Sequence, residues 1–269
     1  KKVCEECLLK GYKSCIKKRC VKGSLFASVV RVFSMKFHKM INVYKNVYAF
    51  ITPSEFLKKK LSLNGFEEKR IHCIPTFTAS KTTIGKQQIG SYGLYFGRVT
   101  EEKGVETVIK AYEKLPEYTV KIMGDDTTDE AKRLKKYVEN HKMKNVEFLG
   151  FKSGAELENV IKGARFTLIP SIWYDNLPNT ALESFQYSKP VIASNIGSLP
   201  ELVIDGENGY LFKPSNVEDL IKKIKMLDDD TLVKKMGQAS RKRLESRFAP
   251  QTHYEDLMKI FNEAVKSRK

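Results

Sequence analysis

Residues 166–193 have the sequence FTLIPSIWYDNLPNTALESFQYSKPVIA, and this stretch decides the fold. It starts with an apolar run of strand length, Phe166–Ile169, and ends with a second one, Val191–Ala193. Between them lie a polar loop and a segment with helical periodicity, Thr180–Tyr187. Two short apolar runs that are joined by a helix are typical of a parallel β-α-β unit.

The same alternation of strand and helix continues on both sides of this unit. Further apolar runs of strand length are Leu94–Gly97, Val120–Met123, Val146–Leu149 and Tyr210–Phe212. Helical patterns between these runs cover Val105–Leu115, Glu130–His141 and Ala155–Ile161. The sequence therefore predicts a doubly wound α/β sheet of parallel strands, in which ligands bind beyond the carboxyl ends of the strands.

A polar loop and a helix start follow the strand Phe166–Ile169. Pro178 is typical of a helix start, so we expect a helix from about Asn179 whose first backbone N–H groups attract phosphate. Seven residues separate Asp175 from Glu183, and both carboxylates can accept hydrogen bonds from sugar hydroxyls. The alternative is that Asp175 caps the helix and Glu183 is a solvated charge.

A cationic loop follows the strand Leu94–Gly97. Gly97 allows the chain to turn, Arg98 can make forked contacts to phosphate oxygens, and Lys103 adds a mobile point charge. A solvated charged turn would also account for these residues. Together with the helix start near Asn179, the loop predicts a diphosphate-binding site.

Three segments resemble a known family: GRVTEEKG at 97–104, WYDNLPNTALESFQYSKPVIAS at 173–194, and GSLPELVIDGENGYLF at 197–212. They are similar to the donor half of family 4 retaining glycosyltransferases, which have the GT-B fold of two Rossmann-like domains. The resemblance extends from about Tyr92 to Phe248. It implies one complete donor domain, which binds a nucleotide-diphosphate sugar and requires no metal cofactor.

The resemblance also implies roles for individual residues. Arg98 and Lys103 would neutralise the diphosphate, Glu183 would hold the ribose hydroxyls, and Asp175 would contact the donor sugar. Asp175 departs from the family, which usually has Glu at this position. The shorter side chain puts the reach of this carboxylate to the sugar in question.

The turn after Val146–Leu149 contains Phe151 and Lys152. In the resembled family this turn lies against the nucleotide base, although Phe151 could equally be a core residue. Of the residues expected at the site, Arg98, Lys103 and Asp175 are expected to act in catalysis. The full set expected to bind the nucleotide sugar is Gly97, Arg98, Lys103, Phe151, Lys152, Asp175, Asn176, Leu177, Asn179, Thr180 and Glu183.

The upstream segment has its own pattern. It predicts a helix over Leu25–Tyr44, a strand over Val47–Ile51, a helix over Glu55–Asn64 with Ser54 as its cap, and a strand over Ile71–Ile74. The resemblance implies that these elements are the C-terminal part of an acceptor domain. That domain should begin with a strand and a Gly-rich loop, which the sequence lacks, and the chain begins without Met. We therefore expect a fragment without the first part of its acceptor domain.

Four segments follow from this interpretation. Residues 1–78 would form the C-terminal part of the acceptor domain, and residues 79–90, rich in Thr, Ser, Gly and Gln, would be a linker. Residues 91–250 would form the donor domain. Residues 251–269 would form a terminal helix that packs back on the first domain, as in the resembled family.

The basic charge is concentrated near the N-terminus. The chain has a net charge of +16, and residues 1–60 hold fifteen Lys or Arg and three acidic residues. This charge favours an anionic partner, but no RNA-binding signature accompanies it, which argues against nucleic acid. The stretch Gly23–Tyr44 mixes apolar residues with Arg and Lys and suits a helix on an anionic membrane surface. Packing of the same apolar face within the acceptor domain would explain it as well.

Four of the five cysteines, Cys4, Cys7, Cys15 and Cys20, lie close together in sequence. Four thiolates can bind structural zinc, although the second pair lacks the tight spacing of most zinc ribbons. Free thiols that shape a loop are an equal alternative. Disulfides are disfavoured in the cytosol, where sugar nucleotides are made.

The resemblance thus implies a hexosyltransferase that moves sugar from a UDP- or GDP-sugar to a glycan or lipid-linked acceptor with retained anomeric configuration. Cell-surface polysaccharide or glycolipid synthesis in the cytoplasm, peripheral to the inner face of the membrane, is the expected setting. We expect the fragment to bind donor but to be inactive or weakly active in transfer. The alternative is a non-catalytic nucleotide- or nucleic-acid-binding module.

Overall fold

The computed structural model describes residues 3–78 and 88–267, which form two compact units. The larger unit comprises Pro75–Asp256. The smaller comprises Val3–Ile74 together with the residues from Leu257 onward. The predicted linker, 79–90, lies for the most part outside the described residues.

Eight strands and three short 3-10 turns are present among the described residues. The strands are β1 (Phe50–Thr52), β2 (Ile71–Cys73), β3 (Tyr92–Phe96), β4 (Thr119–Met123), β5 (Val146–Gly150), β6 (Ala164–Ile169), β7 (Val191–Ser194) and β8 (Gly209–Phe212). The 3-10 turns are Val43–Asn46, Glu68–Arg70 and Glu101–Lys103.

Helices alternate with these strands. They are α1 (Glu6–Lys10), α2 (Lys13–Lys17), α3 (Leu25–Met40), α4 (Glu55–Leu63), α5 (Val105–Glu113), α6 (Asp129–Asn140), α7 (Gly154–Gly163), α8 (Asn179–Gln186), α9 (Leu199–Leu202), α10 (Val217–Lys225), α11 (Asp230–Arg247) and α12 (Pro250–Lys266).

The larger unit is built on one parallel sheet of six strands in the order β5-β4-β3-β6-β7-β8. Every pairing in this sheet is parallel; Leu94 of β3, for example, lies beside Lys121 of β4 and Thr167 of β6. The predicted strands and helices of this region are all present, with ends that differ by a few residues. The prediction of a doubly wound α/β sheet is confirmed.

Both faces of the sheet are covered, which explains why its strands are almost continuously apolar. Successive residues of a strand point to opposite faces. Tyr95 therefore joins the cluster formed with α5, α6 and α10, whereas Leu94 and Phe96 join a second cluster with Ile161 of α7.

The strand order places the candidate site. The chain runs outward from β3 to β5 and then returns to β6 on the other side of β3. Loops after β3 and β6 therefore leave the sheet in opposite directions, and a crevice opens between them at the carboxyl ends of these strands. The loops at this switch point are residues 97–104 and 170–178.

A buried lysine ties the other end of the sheet together. Lys189 precedes β7, and its side chain is almost wholly excluded from solvent. Its ammonium donates three hydrogen bonds of 2.6–2.7 Å, to the carbonyl oxygens of Gln88, Lys162 and Ala164. One cation thus joins the segment before β3 to the start of β6.

The smaller unit contains the parallel pair β1–β2 with α4 between its strands. Ser54 caps α4 as predicted, since its hydroxyl accepts a hydrogen bond from Leu57 N at 3.2 Å. The predicted strand Val47–Ile51 is wrong at its start, because pairing begins only at Phe50. Ahead of the strand, the Arg70 guanidinium donates hydrogen bonds to the backbone carbonyls of Tyr44, Lys45 and Tyr48.

The predicted helix Leu25–Tyr44 ends four residues early, at Met40. Asn42 has φ of 50°, a left-handed conformation that interrupts a helix, and a 3-10 turn follows it. Along α3 only Ser28 and Val32 are buried, whereas Phe26 and Phe33 are 79% and 70% exposed. Within residues 3–78 and 88–267, no helix is long and apolar enough to span a membrane.

The cysteines do not form the predicted metal site. Cys4 and Cys20 are exposed, Cys7 and Cys15 are half-buried, and all four are free thiols. No group of three or more His, Cys, Asp or Glu side chains among the described residues is arranged to hold a metal ion. The zinc hypothesis therefore finds no support in the geometry.

Candidate functional site

The loop after β3 is fixed through its backbone. Gly97 has φ of 144°, and its N–H donates to the carbonyl of Met123 at 2.9 Å. The carbonyl of Arg98 accepts a hydrogen bond of 2.5 Å from the Tyr95 hydroxyl. The next carbonyl, of Val99, accepts one of 2.6 Å from Thr128. Arg98 therefore projects from a backbone held on both sides of it.

The loops after β3 and β6 are in close contact. A side chain at Gly104 would place its Cβ 2.1 Å from the carbonyl oxygen of Pro170, so only glycine fits there. The backbone N–H of Ile172 donates to the carbonyl of Glu102 at 3.0 Å. These contacts hold the cationic loop against the loop that carries Asp175.

A cleft of about 300 Å³ opens at the carboxyl edge of the sheet, beside β3 and β4. Six residues of the predicted set line it: Gly97, Arg98, Phe151, Lys152, Thr180 and Glu183. The parallel sheet brings these residues together from distant parts of the chain: Gly97, Arg98, Phe151 and Lys152 follow strand ends, whereas Thr180 and Glu183 lie on α8.

Arg98 and Glu183 are the unpaired charges of this cleft. Among the described residues, neither the guanidinium nor the carboxylate has an ion-pair or hydrogen-bond partner. The Glu183 side chain is half-buried, and this partial burial raises the pKa of its carboxyl above the ordinary value of 4.5. Carboxylates that are partly removed from water normally have partners, so Glu183 suits a ligand that donates hydrogen bonds, and the exposed guanidinium of Arg98 in the same cleft is open to an anion.

The start of α8 is open as well. Pro178 precedes the first helical residue, and no side chain of the described residues caps the helix there. Thr180 lies in the cleft, while Asn179 is exposed. The helix is held in place by Ser184, whose hydroxyl accepts a hydrogen bond of 2.8 Å from Thr167 of β6. Free N–H groups at a fixed helix start favour an anion.

Phe151 is not a core residue. Its ring is 75% exposed and lines the cleft, which removes the alternative of burial in the core. Its neighbour Lys152 lies 3.5 Å from Glu156 in a partly exposed ion pair. An exposed ring at the edge of the cleft provides a flat apolar surface.

Lys103 and Asp175 contact each other rather than line this cleft. Lys103 Nζ lies 2.7 Å from Asp175 Oδ1, and the Ser171 hydroxyl donates to Asp175 Oδ2 at 2.5 Å. The Ser198 hydroxyl donates to the Asp175 carbonyl at 2.7 Å. Asp175 is therefore neither a helix cap nor a solvated charge.

The remaining predicted residues have different surroundings. Asn176 is exposed, whereas Leu177 packs against the core cluster that contains Phe185. Asp125 and Leu157 line the cleft but were not predicted. Asp125 follows β4 directly after Gly124, so the strand-end rule could have found it. Nothing in the sequence marks Leu157.

The parallel sheets, the strand order and the cleft at the switch point define an α/β protein similar to the GT-B glycosyltransferases. Among solved structures, the chain is similar to a glycosyltransferase of Rickettsia africae, with a TM-score of 0.76 and 20% identity over 84% of this chain and 66% of that one. It is also similar to Anabaena HepE in complex with UDP and glucose, with a TM-score of 0.71 and 20% identity over 80% and 63%.

Residues 80–243 match the family of glycosyl transferases group 1, and the chain belongs to this family. An uncharacterized glycosyltransferase of Methanocaldococcus jannaschii is 30% identical over 64% of this chain and 48% of its own. Glycogen synthase of Mycobacterium tuberculosis is 31% identical over 65% and 42%. The chain thus spans about half the length of these curated relatives.

Proposed function

We propose that the chain binds a UDP- or GDP-sugar in the cleft and provides the donor site of a retaining hexosyltransferase. The observation that carries the proposal is the pair of unpaired charges, Arg98 and Glu183, at the switch point of the sheet. A sugar nucleotide presents a diphosphate to a cation and hydroxyls to a carboxylate, so it complements both. The similarity to HepE, which was solved with UDP and glucose, supports this ligand class.

The residues of the cleft have distinct roles in this proposal. The diphosphate lies against Arg98 and the open start of α8 at Thr180, and the ribose hydroxyls donate to Glu183. The exposed ring of Phe151 lies against the base. Fixed cations and helix N–H groups stabilise charge that develops on the departing diphosphate, which is how such a site accelerates transfer.

Lys103 and Asp175 enter the proposal as a pair. Without ligand, each satisfies the charge of the other at 2.7 Å. A bound diphosphate competes for the flexible Lys103 side chain, and the Asp175 carboxylate then becomes available to a sugar hydroxyl. Asp175→Asn should therefore lower the affinity for UDP-glucose relative to that for free UDP.

Calorimetric titration of UDP and GDP tests the donor site. For whichever nucleotide binds, Arg98→Ala should make the binding free energy less favourable by about 1.5–3 kcal/mol, the range for a hydrogen bond to a charged group. Glu183→Gln should weaken binding as well, because the amide is a poorer acceptor for ribose hydroxyls. Arg247→Ala and Glu139→Gln, two exposed positions of the same unit outside the cleft, are the matched controls.

Unchanged affinity in both cleft variants would contradict the proposal. Binding of RNA without binding of UDP or GDP would instead support the alternative, a non-catalytic nucleic-acid-binding module.

The acceptor and the setting are also proposals. The similarity to a glycogen synthase favours a glycan acceptor. Transfer to a lipid-linked acceptor would use the same donor and the same reaction. Because the chain spans about half the length of its curated relatives, we propose that the 269 residues bind donor with little acceptor-dependent transfer. We place the protein on the cytoplasmic side of a membrane, with the exposed face of α3 against anionic lipid.

A further inference from the structure

The donor site depends on a hydroxyl group that lies beneath it. Tyr95 belongs to β3, is 3% exposed, and points into the core cluster that also contains Tyr112. Its hydroxyl donates a hydrogen bond of 2.5 Å to the backbone carbonyl of Arg98, three residues further on. Burial raises the pKa of Tyr95, so the hydroxyl keeps its proton and remains a donor at neutral pH.

This hydrogen bond acts on the loop between two other fixed points. The N–H of Gly97 is held by Met123, and the carbonyl of Val99 is held by Thr128. Gly124 approaches so closely that a Cβ there would lie 1.9 Å from the Gly97 carbonyl oxygen. The peptide after Arg98 has its own anchor in Tyr95, and this peptide sets the direction of the Arg98 side chain.

We propose that Tyr95 is a positioning residue for nucleotide-diphosphate binding and acts through Arg98. It touches neither the cleft nor the ligand of the proposed function, on which this inference rests. A guanidinium binds phosphate through a planar fork, so its contribution depends on orientation more than that of a point charge does. Without the Tyr95 hydroxyl, the Arg98 carbonyl loses this buried donor and the guanidinium samples several directions.

The test is a double-mutant cycle on UDP affinity, measured by calorimetry. Tyr95→Phe should weaken UDP binding by about three- to tenfold, the effect expected for one lost hydrogen bond. In the background of Arg98→Ala, the same change should alter the affinity less than about twofold, because its effect passes through Arg98. Uridine, which lacks the diphosphate, should bind Tyr95→Phe and the unchanged chain equally well.

Tyr112→Phe provides the matched control. The Tyr112 hydroxyl is fully buried, yet it has no hydrogen-bond partner among the described residues. Its removal alters the same core cluster without touching the loop, so UDP affinity should stay unchanged. Thermal unfolding of each variant verifies that it is folded.

The outcomes separate this inference from the proposed function. If the unchanged chain binds neither UDP nor GDP, the proposed donor site is wrong, and so is the role of Tyr95 that depends on it. If the chain binds UDP and Arg98→Ala weakens that binding, the donor site stands. Equal loss from Tyr95→Phe with and without Arg98, or no loss at all, would then overturn the role of Tyr95 alone.

Discussion

At the scale of single residues, the charged side chains of the site fall into two kinds. Lys103 and Asp175 neutralise each other at 2.7 Å, whereas Arg98 and Glu183 have no partner among the described residues. A charge that is partly removed from water without a partner destabilises the folded chain. Glu183 is such a charge, and a ligand best explains its presence; Arg98 is exposed in the same cleft, where its guanidinium is open to an anion.

The half-buried carboxyl of Glu183 predicts that nucleotide binding depends on pH. Burial raises its pKa, so the carboxylate that accepts ribose hydroxyls is lost on acidification at a higher pH than for an ordinary Glu. We expect UDP affinity to fall as the pH is lowered from 7 toward 4.5, and we expect Glu183→Gln to lack this component. Calorimetric titrations of both proteins across this range also correct for ionisation of the nucleotide. If UDP affinity depends on pH in the same way for the unchanged chain and for Glu183→Gln, the role of Glu183 is contradicted.

The same shift has a second consequence, for stability. Between its ordinary pKa of 4.5 and its raised value, Glu183 binds more proton in the folded state than in the unfolded state. The free energy of unfolding contributed by this group therefore decreases as the pH rises through that window. Thermal unfolding of Glu183→Gln should not show this decrease.

At the scale of elements, α3 differs from the helices of the larger unit. Five residues of α11 and five of α8 are buried, but only Ser28 and Val32 of α3 are. Phe33 and Phe37 stack on each other with ring centroids 6.3 Å apart, and Arg31 and Lys36 are exposed beside them. Exposed rings among cations are typical of a helix that lies on an anionic lipid surface.

Vesicle binding tests the proposed role of α3. The chain should sediment with vesicles of phosphatidylglycerol and phosphatidylcholine, and less with phosphatidylcholine alone. Replacing both Phe26 and Phe33 by Ser should weaken this binding more than tenfold, since each buried ring contributes about 1.5–3 kcal/mol. Tyr254→Ser, an exposed aromatic position outside α3, serves as the control. Equal sedimentation of all three proteins would exclude α3 as the lipid contact.

At the scale of the whole molecule, the six-stranded sheet separates binding from stability. The open site lies at the carboxyl ends of the strands, and the buried ammonium of Lys189 joins three carbonyls near their starts. A buried cation with satisfied hydrogen bonds is costly to disrupt, because its acceptors lose their donors together. Lys189 therefore belongs to the stability of the sheet and not to the site.

Lys189→Met should lower the free energy of unfolding by roughly 3 kcal/mol, as expected when buried acceptors lose a charged donor. Denaturant titration of the variant measures this loss. Lys136→Met, at an exposed position of α6, should change the stability by less than about 0.5 kcal/mol. A similar small effect at both positions would show that the three hydrogen bonds of Lys189 do not stabilise the sheet.

Much of the fold followed from the sequence because its signals are local. Apolar runs such as Leu94–Gly97 and Phe166–Ile169 mark buried strands, and the helices between them require those strands to be parallel. Since parallel strands end at one edge, the residues after each run, including Arg98, were expected at the site. The end of α3 and the start of β1 were missed, because the left-handed Asn42 and the long reach of Arg70 leave no periodic signal.

The sequence by itself determined the α/β alternation and the residues that follow the strands. Only the tertiary structure decided how those residues combine. In the folded chain, Lys103 pairs with Asp175 across 72 positions, and the Tyr95 hydroxyl binds the carbonyl of Arg98. Phe151 is exposed, and the four cysteines form no metal site. Periodicity reports which face of an element is buried, whereas these contacts depend on strand order and on where separate loops meet.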